Sequence, residues 1–173
     1  MPVNRNHLRQ LILIVWVFGL NVFIESAAHA SSVNFQIAFS GHVDCHRPFQ
    51  ISNVPISGSG TGSLNSDGTA TADVTETAFV LSSRIHFEAR LGRVTPAPGG
   101  TAQVRVAGQH RLSLIWNLPN NQMVIDIAVN GRSCTARFES VLKPGKTEYT
   151  LFDGTIYHYC GRPTAETASC QVH

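Results

Sequence analysis

The sequence lacks any segment whose apolar residues recur at helical spacing, and it has no internal repeat of the ~20 to 50 residues that solenoids and propellers use. It also has no His-x-His, His-Glu-x-x-His or Cys-x-x-Cys spacing. The first two absences exclude helical bundles, doubly wound α/β domains and repeat architectures. The third removes the common zinc and thiol-redox signatures. Aromatic residues are only 8% of the chain and charged residues 14%. A transmembrane barrel needs aromatic girdles and an apolar outward band, whereas the outward strand positions here carry Arg, Glu and Asp. Lysine is nearly missing, with Lys143 and Lys146 the only two. Counted from Ser31, 11 Lys and Arg stand against 10 Asp and Glu, a net charge of +1. That balance gives no basic surplus for nucleic acid or an anionic membrane. The cations are mostly arginine, nine to two from Ser31 on, which favours planar two-pronged contacts over loose solvation.

Catalytic motifs are missing too. Gly145-Lys146-Thr147 resembles the end of a phosphate loop, but the motif needs glycine where Ser140 stands. Gly58-Ser59-Gly60 has the wrong spacing for a nucleophile elbow. Asp126 and Glu139 read as outward partners for Arg111 or Arg137 rather than as a glycosidase pair.

What the sequence does contain is alternation. Leu112, Leu114, Trp116 and Leu118 share one face at period two, and so do Met123, Ile125, Ile127 and Val129, then Cys134, Ala136 and Phe138. Pro119-Asn120-Asn121 and Asn130-Gly131 supply the joints, and Asn-Gly suits the positive φ angles of a tight hairpin turn. Val33, Phe35, Ile37 and Phe39 predict a first strand, followed by a polar loop from Gly41 to Pro48. Residues 57–62 read as a Gly/Ser loop, Asp67-Gly68 as a hairpin turn, and Phe79–Leu91 as a long strand that Thr95–Gly100 breaks. Asp153-Gly154 marks a further hairpin, and Cys160 to His173 reads as a tail without period. The expected fold is all-β, a single antiparallel meander domain, with an up-and-down barrel or clam preferred to a Greek-key sandwich.

The N-terminus reads as an export signal. Arg5, His7 and Arg9 precede a largely apolar run from Leu11 to Ile24, and Ala28-His29-Ala30 gives the small-x-small cleavage pattern. A run of about 14 residues falls short of the roughly 20 that cross a bilayer. The expected organisation is therefore a signal peptide over 1–30 and one β domain over 31–173, periplasmic or secreted, with no membrane span in the mature chain. The cysteines Cys45, Cys134, Cys160 and Cys170 then form two disulfides. Of three pairings, Cys45–Cys134 and Cys160–Cys170 are expected, the second stapling the tail.

The leading functional expectation is an exported bacterial binding module without catalysis, whose partner is an unidentified small molecule or protein. Small inward residues Ala70, Ala72 and Val74 facing Leu81, Ile85 and Phe87 would leave room for a small apolar ligand. A second reading is a protein-interaction role, as an inhibitor or envelope-assembly factor, through Arg84, His86, Arg90 and Arg105. A hydrolase ranks third. No cofactor is expected. His42, His46 and His158 would converge as metal ligands only if Cys45 bonded Cys160.

Overall fold

A computed structural model describes residues 32–78, 81–89, 93–108 and 110–173. The expected signal peptide lies outside the described residues. Twelve strands and no helix occur among those described: β1 (Ser32–Arg47), β2 (Ile51–Asn65), β3 (Ala70–Ala78), β4 (Leu81–Ala89), β5 (Val94–Ala97), β6 (Gly100–Val106), β7 (Arg111–Asn117), β8 (Asn121–Asn130), β9 (Ser133–Leu142), β10 (Tyr149–Phe152), β11 (Tyr157–Cys160) and β12 (Thr164–Val172). They form two antiparallel sheets. The larger runs β10-β11-β1-β2-β3-β4, with β12 also on β1, and the smaller runs β5-β6-β7-β8-β9.

Alternation is the reason these segments are strands. On β1 Phe35, Ile37, Phe39, Val43 and Cys45 are buried while Asn34, Gln36 and Asp44 are exposed. Leu112, Leu114 and Trp116 on β7 and Met123, Ile125, Ile127 and Val129 on β8 are likewise buried, as their period-two spacing predicts. The turn between β8 and β9 has Gly131 at φ 62°, the conformation that Asn-Gly was expected to supply. Consecutive strands pair from β1 to β4 and again from β5 to β9, so the meander is present and is shared between two sheets.

Four segments differ from expectation. The 41–48 stretch is not a loop, because β1 continues to Arg47 with its register shifted near Cys45. Residues 57–62 are the middle of β2, paired on both sides, with Phe35 opposite Gly62 and Phe39 opposite Gly58. A Cβ on Gly58 would come within 2.3 Å of the Phe39 ring, and one on Gly62 within 2.4 Å of the Phe35 ring. The glycines are therefore the recess in which two core rings lie, which is a reason for glycine inside a strand. Around Thr95–Gly100 the chain does not leave the sheet, since β5 and β6 form a hairpin there. The tail is not structureless. From Phe35 to His42, β1 takes β12 as its second neighbour, and β11 takes over at Cys45.

That register also corrects the disulfides. Cys45 lies directly opposite Cys160 and bonds it, while Cys134 of β9 bonds Cys170 of β12. The expected pairing fails because β11 sets Cys160 directly opposite Cys45 on β1, and β12 carries Cys170 to the seam beside Cys134 of β9. All four cysteines are bonded. The second bridge spans a seam where β12 lies alongside β9 without being hydrogen-bonded to it as a strand neighbour. Glu166 Oε1 crosses the same seam, accepting from the Ser140 backbone N–H at 3.0 Å. At the centre, the Phe39 and Phe138 rings meet across the sheets at 4.7 Å.

Gly58→Val should lower stability by about 1–3 kcal/mol or more, because the added side chain collides with a buried ring. A Gly68→Ala control, with open space around it but φ 82°, tests backbone strain alone. Urea unfolding midpoints distinguish the two. C134S/C170S should cost about 2–4 kcal/mol in the same assay, with C45–C160 still found by peptide mapping without reductant.

Candidate functional site

The residues expected to line an apolar cavity do meet inside. Ala70, Ala72, Val74, Ile85 and Phe87 are buried on the inner face of β3 and β4, with Ala72 opposite Phe87 and Val74 opposite Ile85. The side chain of Leu81 lies outside the described residues. The room they were expected to leave is largely taken. Ala72 is also opposite Gly62, where the Phe35 ring lies, and the gap that remains between the sheets is about 20 Å³. That is close to the minimum for one water.

One member of this inner column carries chemistry. Ala70, Ala72, Val74, Glu76 and Ala78 follow each other at period two, and Glu76 is only 1% exposed. Its carboxyl borders the gap with Phe39, Phe87, Trp116, Met123 and Phe138, and no other ionisable side chain lines it. Glu76 Oε1 has no hydrogen-bond partner among the described residues. Burial alone pushes its pKa up to about 8 from an ordinary 4.5, so near neutrality it is a protonated acid in an apolar setting. The period-two pattern contained this signal, as a lone carboxylate in a run of small apolar residues. Trp116, whose period-two position puts it on the inner face, is buried, and its ring nitrogen donates to the Pro98 carbonyl at 2.8 Å.

The expected arginine surface is divided between the sheets. Arg84 and His86 stand on the outer face of β4, and both turn to Asp73 of β3, at 3.7 and 2.9 Å. Arg84 and Asp73 line a shallow hollow of about 280 Å³ whose other walls are Gln36, Ser59, Gly60, Thr61 and Thr75. Arg105 belongs to the other sheet, on β6 opposite Ser113. Arg90 lies outside the described residues. The expected set therefore does not form one cluster, because the chain passes from one sheet to the other between β4 and β5.

Arg105 instead joins a row that was not expected as a site. Across the outer face of the five-stranded sheet, the register aligns Arg105, Ser113, Asp126 and Arg137, with Arg111, Ala128 and Thr135 in the next row. The small side chains of Ser113, Ala128 and Thr135 leave an open groove of about 560 Å³ between the longer ones. A second hollow of about 410 Å³ continues it past His110 and Asn130. Ser113 Oγ donates to Asp126 at 2.5 Å, and Arg137 pairs with Glu139 at 2.8 Å. Asp126 is thus held by serine and not by Arg111 or Arg137, contrary to expectation. Arg105 and Arg111 have no carboxylate within 4.0 Å among the described residues.

The three histidines do not converge, although Cys45 does bond Cys160. His42 and His46 leave β1 on the side opposite buried Cys45, whereas His158 is buried on β11. His158 Nε2 lies 3.0 Å from Asp153 Oδ2. Burial pushes the Asp153 pKa up, but bonds from the Ile156 and Thr155 backbone, the Thr155 hydroxyl and His158 outweigh it and hold the carboxyl well below its ordinary value. Among the described residues no three His, Cys, Asp or Glu side chains are grouped to hold a metal. No helix of the described residues is long and apolar enough to cross a membrane. Neither a protein-family model, nor a curated protein, nor a solved structure matches the chain.

Glu76 makes stability depend on pH in a defined direction. Unfolded, it ionises near 4.5, whereas folded it holds its proton to about 8, so the folded state binds the extra proton between those values. Its contribution is intact below pH 4.5 and declines by a few kcal/mol as pH rises to 8. Urea titrations at pH 5 and 8 should show that decline in the parent chain. Glu76→Leu should flatten it and be the more stable protein at pH 8, and an unchanged slope would rule out Glu76 as its source.

Proposed function

We propose that this chain is an exported bacterial binding module, periplasmic or secreted and without catalysis, that holds a carboxylate- or phosphate-bearing partner against the five-stranded sheet. The groove of about 560 Å³ on that sheet carries the proposal. It is preformed and lies within the size range of small-ligand sites; Arg111 and Arg137 line it beside Asp126, and Arg111 has no carboxylate within 4.0 Å among the described residues. A guanidinium offers paired N–H groups that match the two oxygens of a carboxylate or phosphate. Ser113 and Thr135 add hydroxyls, and Ala128 lets a partner approach the backbone. The rigid sheet beneath keeps these groups at fixed spacing, which lowers the ordering cost of binding.

Two features support an oxidising compartment. Both disulfides join segments distant in sequence, at separations of 115 and 36 residues, and no cysteine is left over for metal or redox work.

Retention on immobilised polyglutamate at low salt is the direct test. The parent protein should be retained and should elute earlier as salt rises. Arg111→Ala combined with Arg105→Ala should weaken retention about tenfold, as expected for losing charge-assisted contacts of roughly 1–2 kcal/mol. Arg84→Ala, on the other sheet, should leave it unchanged. Equal retention of the double variant and its parent would reject this face as the binding surface.

A further inference from the structure

Resting on the binding role proposed for the five-stranded sheet, we infer that its groove takes an extended peptide segment of mixed charge, with an acidic and a basic side chain two residues apart. The groove is lined by an unpaired charge of each sign, and a purely anionic partner would use only one of them. Arg111 has no carboxylate within 4.0 Å, and the Asp126 carboxylate has no Arg, Lys or His within that distance among the described residues. The two are diagonal neighbours, since Arg111 stands opposite Ala128 and Asp126 lies two residues before Ala128 on β8. Diagonal neighbours of opposite charge can reach each other across a sheet when their side chains are long. Here Ser113, directly opposite Asp126, holds one of its oxygens at 2.5 Å, and Arg137, opposite it on β9, turns to Glu139. The second Asp126 oxygen accepts no hydrogen bond among the described residues.

Spacing selects the partner. Diagonal positions on paired strands lie about 7–8 Å apart. Side chains two residues apart on an extended chain share a face, about 6.4–6.8 Å from each other. A strand-like segment laid over the groove therefore brings its acid to Arg111 and its base to Asp126 together. The two charges of a free α-amino acid sit too close to each other to meet both. Ala128 lies between them and ends at its Cβ, so the backbone of the segment can come near the sheet. Arg111 also walls the second hollow of about 410 Å³, where Asn130, Ser133 and Thr135 suit a polar residue next to the acid. The two hollows together have a length that one amino acid would not fill.

Fluorescence anisotropy of two labelled peptides, at low salt with the full disulfide-bonded chain, tests this. One repeats Glu-Ser-Lys-Ser and the other Glu-Ser-Gln-Ser. General attraction to the arginines favours the second, which is the more negative. Preference for the lysine peptide by about fivefold is expected, the factor that one exposed charge pair can supply. Asp126→Asn keeps an oxygen for Ser113, so it should fold; it should abolish that preference and delay elution from polyglutamate, because a repelling acid is gone. Equal binding of the two peptides, tighter binding of the glutamine peptide, or a preference that survives Asp126→Asn would each overturn the mixed-charge segment while leaving the arginine face standing. Binding of neither peptide would overturn the segment as well. Polyglutamate retention that ignores the loss of Arg105 and Arg111 would remove the face itself.

Discussion

The separation of the two sheets is set by two aromatic rings lying in the hollows of a glycine strand. Sheets that face each other pack about 10 Å apart, and that distance must be filled by side chains from both. Phe35 and Phe39 leave β1, lean over β2 at Gly62 and Gly58, and Phe39 then meets Phe138 of the other sheet. A side chain on either glycine would lift a ring and push the sheets apart. The same arrangement isolates Glu76, which stands opposite Gly58 on β3 and so has the Phe39 ring, not a polar neighbour, beside it.

Most strands were legible because alternation is a local signal. β7 to β9 could be read from Leu112 to Phe138 with their turns, and the first strand from Val33 to Phe39. Elsewhere the deciding contact was remote. Gly58, Gly60 and Gly62 have the composition of a loop, and only Phe35 and Phe39, some twenty residues earlier, make them the floor of a sheet. The tail held a weak alternation of Ala168, Cys170 and Val172 against Thr167, Ser169 and Gln171, easily missed because the inward residues are small. Disulfide partners depend on strand register, and register with β12 cannot be read without knowing that β12 exists.

Site residues were less legible for a related reason. Arg84, His86 and Arg105 look alike in sequence, but the chain changes sheets between them. The groove around Arg111 and Ala128 is made by three strands in register, each contributing one or two side chains, so no stretch of sequence contains it. Glu76 is the contrary case, where the pattern marked the position and only its neighbours revealed what was unusual.

The strand that opens the larger sheet waits for the strand that closes it. One edge of β1 can pair at once with β2, but the other is completed by β11 and β12, with Phe35 opposite Val172. Closing a loop that long costs chain entropy before any contact repays it, and such pairings place a domain among the slower folders. During synthesis, Phe35 and Ile37 would lie beside a bare row of backbone donors and acceptors until β12 had been made. Such an uncovered edge invites wrong partners, so for this topology the last few residues act as the guard of the first.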